Sequence, residues 1–337
     1  MIIQEIINYK WHGNSLFDFW KYSRFKMLSK LSVSRVLNIL HSIFEWKFRQ
    51  SMVSSKPFIF RIEVSAICNL KCPSCPTTKR GLDGVPTKLM SLLDFQNIFD
   101  KLKNKAWRLS FYISGEPMTN PNLLDMVGYV TKANVYTHFS TNFTLLKSGM
   151  AKKMIESKLD SISVCLDGYS QKNYSKYRVG GNVETVKNGI IELCKTKNKM
   201  NSKKPFLNVY TITFNHSIAD LPKIKEFCKV NHVDKLTIRP DQLNFDGSGV
   251  KKSKTKVRHK SKCFWPWMTM IIDTSGNVYP CQVAHRSHPY GNIKNNSLEE
   301  IWNNEKYVRT RNFLSGKEKK CNSFKLPCLN CKLYNCS

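Results

Sequence analysis

The chain has 337 residues, 41% hydrophobic and 12% aromatic, which excludes wholesale disorder and supplies a core for one large α/β domain with a smaller appendage. Its 54 Lys and Arg against 24 Asp and Glu give a formal net charge of +30. That charge suits an anionic partner such as a phosphorylated metabolite, a membrane surface or nucleic acid, although lysine-rich solvated loops would produce the same figure.

No apolar run reaches the roughly 18 residues that cross a bilayer, and the start Met1-Ile-Ile-Gln-Glu5 lacks a signal-peptide pattern. A cytoplasmic, reducing setting is therefore expected for the twelve cysteines, and metal ligation rather than disulfides. Residues 1–56 read as an N-terminal helical extension, with Val33, Val36, Leu37, Leu40, Phe44 and Phe48 at helical spacing. Such a face ordinarily packs on its own domain. The basic residues Lys21, Arg24, Lys26, Lys30, Arg35, Lys47 and Arg49 around Trp20, Phe25 and Trp46 would also suit a helix in peripheral contact with a membrane.

From Phe58 onward β-branched and aromatic runs alternate with helical patterns. Strands are predicted near 58–64, 107–113, 134–139, 160–166, 206–213 and 234–239, and helices near 91–103, 121–132, 143–157, 182–196 and 219–230. Six βα units over residues 57–245 form a partial barrel or an open doubly wound sheet, and periodicity does not choose between them. Cys165, Cys194 and Cys228 lie in apolar patterns and read as core. Residues 246–337 form a third region. Its run Lys251 to Lys262 lacks the interleaved aromatics of a stacking platform, so nucleic acid is not the expected partner.

Cys68, Cys72 and Cys75 follow the first strand, at the end where parallel α/β folds build active sites. Three thiolates this close can hold three irons of a cubane and leave the fourth open; zinc would accept a similar spacing. Gly115-Glu116-Pro117 closes the second strand, where glycine permits close backbone approach and a carboxylate complements an ammonium, though a plain turn also explains Gly and Pro. Ser140-Thr141-Asn142 closes the third strand and would also serve as a helix cap. Asp167-Gly168 closes the fourth, where a turn is the alternative. Cys263, Cys281, Cys328 and Cys331 supply four thiolates for a closed cluster or a structural zinc, with Cys321 and Cys336 unassigned.

The Cys-x3-Cys-x2-Cys run resembles the signature of the radical S-adenosylmethionine (SAM) superfamily, with Ser74 where an aromatic residue often precedes the last cysteine. Gly115-Glu116-Pro117 is similar to the family motif that accepts hydrogen bonds from the SAM amino group. Ser140-Thr141-Asn142 resembles a stretch beside the SAM ribose and carboxylate, with Phe143 in place of the usual glycine. Ser163 to Gly168 and Tyr177-Arg178 resemble the maturase-like branch, which implies that Arg178 contacts the SAM carboxylate and that Asp167 sits near substrate. Cys263 to Cys281, Gly291-Asn-Ile and Ser297 to Trp302 resemble the SPASM extension in its single-cluster form.

This resemblance covers residues 58–337. It implies an α/β fold built as a six-stranded partial (β/α)6 TIM-like barrel, with a small C-terminal Fe–S cluster domain. It also implies SAM on a [4Fe–4S] cluster held by Cys68, Cys72 and Cys75, and an auxiliary [4Fe–4S] cluster on Cys263, Cys281, Cys328 and Cys331. Reductive cleavage of SAM to a 5′-deoxyadenosyl radical would be fed by a low-potential donor such as flavodoxin or ferredoxin. The expected substrate is a small, polar or phosphorylated molecule. Peptide modification is the second reading, and a zinc-bearing nucleic-acid-binding protein is a third that leaves 115–117 and 163–168 unexplained.

Overall fold

A computed structural model describes residues 30–75, 77–78, 88–241, 263–285, 287–318 and 327–331, with the short stretches 10–11, 14–15, 258–259 and 334–335. Cys321, Cys336, Trp20, Phe25 and the basic run from Lys251 to Lys256 lie outside the described residues. In chain order the elements are α1 (Val33–Lys47), β1 (Ile59–Ile62), α2 (Leu92–Leu102), β2 (Arg108–Ser110), α3 (Leu123–Lys132), β3 (Tyr136–Thr141), α4 (Met150–Glu156) and β4 (Ser161–Cys165). They continue with α5 (Gln171–Tyr177), α6 (Val183–Lys199), β5 (Phe206–Thr213), α7 (Leu221–Val230), β6 (Lys235–Pro240), α8 (Trp265–Met268), β7 (Thr269–Ile272), β8 (Asn277–Tyr279), β9 (Gly291–Asn292), α9 (Leu298–Trp302) and α10 (Glu305–Leu314).

The chain divides into two compact units, one of residues 32–68, 84–137 and 252–337, the other of residues 1–31, 69–83 and 138–251. We call them the β1 unit and the β4 unit. In the β1 unit the strand order is β9-β8-β7-β1-β2. Strands β1 and β2 are parallel, β7 joins β1 in parallel register from Thr269↔Ile59 to Ile272↔Ile62, and β8 and β9 return antiparallel. The C-terminal stretch thus extends the sheet of the first βα repeats. Helix α2 is capped by the Ser91 hydroxyl on the Asp94 N–H and buries Phe95, Ile98, Phe99 and Leu102, the spacing of one helical face.

Arg311 ties this unit together. Fully buried, it donates from Nε to Pro266 O, from Nη1 to Ser51 O and Asn303 Oδ1, and from Nη2 to Trp302 O, at 2.8–3.0 Å. Its guanidinium lies 4.7 Å from the Trp302 ring centroid. Only a planar fork reaches four acceptors on three segments.

In the β4 unit, residues from His138 onward in β3 pair with β4, then β5, then β6, all in parallel. Alternation puts Phe139, Ile162, Val164, Leu207 and Val209 on one buried face. The opposite face is buried yet polar: His138 Nδ1 lies 2.9 Å from the Ser161 hydroxyl, Asn208 Nδ2 3.3 Å from the Ser163 hydroxyl, and the Thr237 hydroxyl donates to Asn208 Oδ1 at 2.8 Å. A parallel sheet covered on both sides by helices would be apolar there as well. A polar inner face suits a sheet curled around a lumen.

Several expectations are corrected. The helix predicted over 143–157 is shortened to Met150–Glu156, because Phe143 and Gly149 take left-handed φ values of +63° and +76°. Helix α5 is additional, capped by the Ser170 hydroxyl on the Asn173 N–H. Cys194 and Cys228 are buried, and burial pushes their thiols up to about 11 and about 12 respectively. Cys165 instead lies on the polar face, 4.0 Å from the Ser140 hydroxyl. The apolar face of α1 does not pack on its own unit: the side turned inward carries Arg35, Ser42 and Glu45. Among the described residues no helix is long and apolar enough to cross a membrane.

Arg311→Lys should lower the urea-unfolding stability by about 3 kcal/mol, since an ammonium cannot span the same carbonyls and leaves buried acceptors unmet. An unchanged midpoint would contradict this role.

Candidate active site

In the β1 unit, β1 continues through Glu63 and Ser65 into the loop that carries Cys68. The Gly115-Glu116-Pro117 turn sits on that loop, with the Glu116 N–H donating to Ile67 O at 2.7 Å. A Cβ on Gly115, at φ +73°, would lie 2.3 Å from Ser65 O and 2.9 Å from Ile67 O, so no other residue fits. Asn120 braces the same loop by donating to Val64 O and Met90 O. The Glu116 carboxylate is buried and accepts from the Met118 N–H at 3.1 Å.

Glu63 is fully buried, accepts from the Ser114 hydroxyl and lies 3.7 Å from His285 Nε2, itself buried. Neither residue belongs to a motif that stood out in the sequence. The available signal was the alternation Arg61, Glu63, Ser65, which sets polar groups on one side of an otherwise apolar strand.

In the β4 unit, Asp167 is fully buried at the end of β4 and divides its carboxylate between two partners. Oδ1 accepts from the Ile212 N–H at 2.7 Å and Oδ2 from Arg178 Nε at 2.5 Å. Arg178 Nη1 then reaches Cys72 Sγ at 3.9 Å, and the Lys71 N–H donates to Val179 O. Burial alone would lower the Arg178 pKa, but Asp167 and the neighbouring thiols raise it well above its ordinary value. Burial raises the Cys72 thiol while Arg178 pulls the other way.

Cys75 closes a turn on Cys72 by an N–H to O bond of 3.0 Å. Asn69, between the first two cysteines, accepts from Asn142 Nδ2 at 3.0 Å and donates to the Thr144 hydroxyl at 2.8 Å. The Thr141 hydroxyl accepts from the Phe143 N–H, bracing that left-handed residue. Gly168 is fixed by packing, since a Cβ there would lie 2.7 Å from Tyr174 N. Tyr174 is fully buried within electrostatic reach of Cys72, Cys165, Asp167 and Arg178, and its hydroxyl has no hydrogen-bond partner among the described residues. No motif or spacing pointed to it.

The C-terminal cysteines belong to the β1 unit. Cys263 is buried and its carbonyl accepts from Trp46 Nε1 at 2.9 Å. Cys281 Sγ accepts from the Ala284 N–H at 3.4 Å, and Cys331 turns back on Cys328. Burial raises the Tyr290 hydroxyl, and charge on Cys328 or Cys281 raises it further. All these cysteines are free thiols. Among the described residues the protein ligands alone do not converge into a group of three or more that would hold a metal ion.

The donor sets fit thiophilic clusters and a zwitterionic cofactor. The first loop offers three thiols and the C-terminal stretch four, without disulfides among the described residues. The enclosed Tyr174 hydroxyl is a buried donor without a hydrogen-bond partner among the described residues, as expected where a polar ligand completes the bonding.

Comparison with known proteins agrees with this chemistry. The Radical SAM superfamily family matches residues 62–232, just over half of the chain, and SPASM, an iron-sulfur cluster-binding domain, matches residues 263–332. A probable GTP 3′,8-cyclase of Methanococcus maripaludis is 28% identical over 173 residues, covering 50% of this chain and 54% of that protein; the chain spans about half the length of such relatives. The tungsten-containing aldehyde ferredoxin oxidoreductase cofactor-modifying protein of Pyrococcus furiosus is 23% identical, with 75% and 84% covered. Among solved structures, Streptococcus suis SuiB bound to S-adenosylmethionine superposes with a TM-score of 0.62 at 16% identity, covering 88% of this chain and 75% of that one. That likeness shows the partial-barrel fold.

Two substitutions should separate the roles of these side chains. Asp167→Asn strands the buried Arg178 charge and should cost about 3 kcal/mol in urea unfolding. Tyr174→Phe should leave stability unchanged or raised, yet weaken SAM binding about fivefold by equilibrium dialysis. A Tyr174→Phe protein that binds SAM normally would remove that residue from the site.

Proposed function

The chain belongs to the radical SAM superfamily and carries a SPASM domain toward its C-terminus, and from that premise we propose that it abstracts a hydrogen from a small polar or phosphorylated metabolite and oxidises or otherwise modifies it. It is an enzyme of SAM and [4Fe–4S] clusters, one of them auxiliary. In our reading residues 57–245 are the catalytic core and 246–337 the auxiliary-cluster domain. Cys68, Cys72 and Cys75 hold the SAM-binding cluster, and Cys263, Cys281, Cys328 and Cys331 the auxiliary one. When bound, the clusters and SAM supply a 5′-deoxyadenosyl radical and an acceptor for a substrate electron.

The chain's own residues orient the parts. The Glu116 carboxylate, on the turn that glycine lets onto the Cys68 loop, receives the ammonium of SAM. Arg178 offers its guanidinium to the SAM carboxylate while Asp167 holds it in place. Ser140, Thr141 and Asn142 receive the ribose side, with Asn142 tied to the cysteine loop through Asn69. Asp167 is in contact with Arg178 through Nε. We therefore assign Asp167 as a positioning residue in addition to its expected place near substrate.

One observation carries the substrate class: the buried, polar face of β3 to β6, with His138, Ser161, Ser163, Asn208 and Thr237. Buried hydroxyls, an amide and an imidazole in a row suit a hydrogen-bonding substrate and penalise an apolar one. The net charge of +30 supports an anionic group on it. A low-potential donor of the flavodoxin or ferredoxin kind would deliver the electron. Peptide modification is supported by the likeness to SuiB bound to its precursor peptide SuiA, TM-score 0.61 at 15% identity, a likeness of fold alone.

The test is to supply the anaerobically reconstituted enzyme, SAM and dithionite with metabolites fractionated by anion exchange, and separately with a peptide pool. An anionic fraction should raise 5′-deoxyadenosine formation about tenfold or more over the uncoupled rate, as a rate set by substrate positioning should respond. Stimulation by peptides alone would sink the small-metabolite reading.

A further inference from the structure

Helix α1 shows its polar side to the protein and its apolar side to solvent. Inward, Arg35 donates to the carbonyls of Lys103, Ala133 and Asn134 at 2.8–3.0 Å. Ser42 donates to Trp267 O at 2.6 Å, and the buried Glu45 accepts from the N–H groups of Ser54 and Ser55. Trp46 Nε1 donates to Cys263 O. The helix cannot roll its apolar stripe inward without leaving a buried carboxylate, a guanidinium and several carbonyls unmatched.

Outward, Val33 is 77% exposed, Leu37 60%, Leu40 47%, Phe44 50% and Phe48 63%. These positions recur every three or four residues, so they make one stripe along roughly 24 Å of helix. The Phe44 and Phe48 rings lie 4.4 Å apart. A contiguous apolar stripe of this size marks an interaction surface, where scattered single residues would not.

Charge selects the occupant. The one acid of α1, Glu45, is buried, so no carboxylate of this helix faces outward. Exposed Lys47 lies between Phe44 and Phe48 in the sequence, and exposed Lys105 and Lys132 flank in sequence the carbonyls that grip Arg35 at the other end. A second copy of the chain would bring another +30 to the contact, an arrangement that repels. An apolar stripe with cationic ends matches the boundary between anionic headgroups and acyl chains.

We propose that α1 docks the enzyme on an anionic membrane surface, with Leu37, Phe44 and Phe48 entering the acyl boundary and lysines at both ends meeting the headgroups. The docking is independent of which substrate is turned over. It would suit a reaction carried out on, or delivered to, a lipid surface.

The reconstituted 337-residue chain is co-sedimented with vesicles of phosphatidylcholine and phosphatidylglycerol, and with vesicles of phosphatidylcholine alone. It should partition to the anionic vesicles, and Leu37→Glu, Phe44→Glu and Phe48→Glu combined should lower that partition about tenfold or more. Iron content and substrate-free SAM cleavage should be unchanged in that variant, since these side chains are exposed and belong to neither thiol set. Wild-type protein that ignores anionic vesicles, or a variant that binds them equally, would overturn the proposal. So would a wild-type dimer that the variant dissociates, which would make a second copy the occupant. Protection of Leu37, Phe44 and Phe48 from hydroxyl-radical footprinting without vesicles would do the same, by making the chain's own residues the cover.

Discussion

The Asp167–Arg178 ion pair is the interaction on which the cysteine loop of the β4 unit depends. A fully buried carboxylate is stable only when both oxygens are matched, and here one is held by the β5 backbone at Ile212 and the other by Arg178. That fixes the guanidinium, which in turn places a permanent positive charge 3.9 Å from Cys72 Sγ. Burial works against a thiolate at Cys72, and the neighbouring cation offsets part of that, leaving the thiol raised. The chain thus prepares an anionic ligand site by ordering a cation beside it.

The β1 unit reaches a comparable result by steric means. Gly115 lets the second strand's turn touch the backbone of Ser65 and Ile67 just ahead of Cys68, and Asn120 locks the same loop through Val64. Strand β7 lies in register beside β1, so the C-terminal cysteines are carried on a scaffold hydrogen-bonded to the strand that leads into the first motif. Glu63 and His285 span the same two pieces of chain and are both buried. Arg311 and Trp302 hold the scaffold to the linker between α1 and β1 through the carbonyls of Ser51 and Ser55.

Much of this was legible in the sequence for reasons that are local. The six strands follow from short β-branched runs, and the motif glycines from backbone approaches that only glycine allows. What was hidden depends on groups distant in sequence. The inward face of α1 is decided by carbonyls at 103, 133 and 134, which no helical pattern reveals. Phe143 occupies a left-handed position that favours glycine, and its fully buried ring lies where a Cβ on Gly189 would be 3.0 Å away, so packing of this loop residue against α6 supports a residue that local rules reject. Cys165 reads as core from its neighbours, yet alternation sets it on the polar face beside Ser140.

The chain, in this account, carries two separate thiol sites for clusters. Iron content of the anaerobically reconstituted protein, compared with that of a Cys68→Ala, Cys72→Ala, Cys75→Ala variant, tests this most directly. About eight irons per chain are predicted in the wild type and about four in the variant, since each [4Fe–4S] cluster contributes about four. A variant left with no iron would contradict the two-site account, removing the auxiliary cluster from Cys263, Cys281, Cys328 and Cys331.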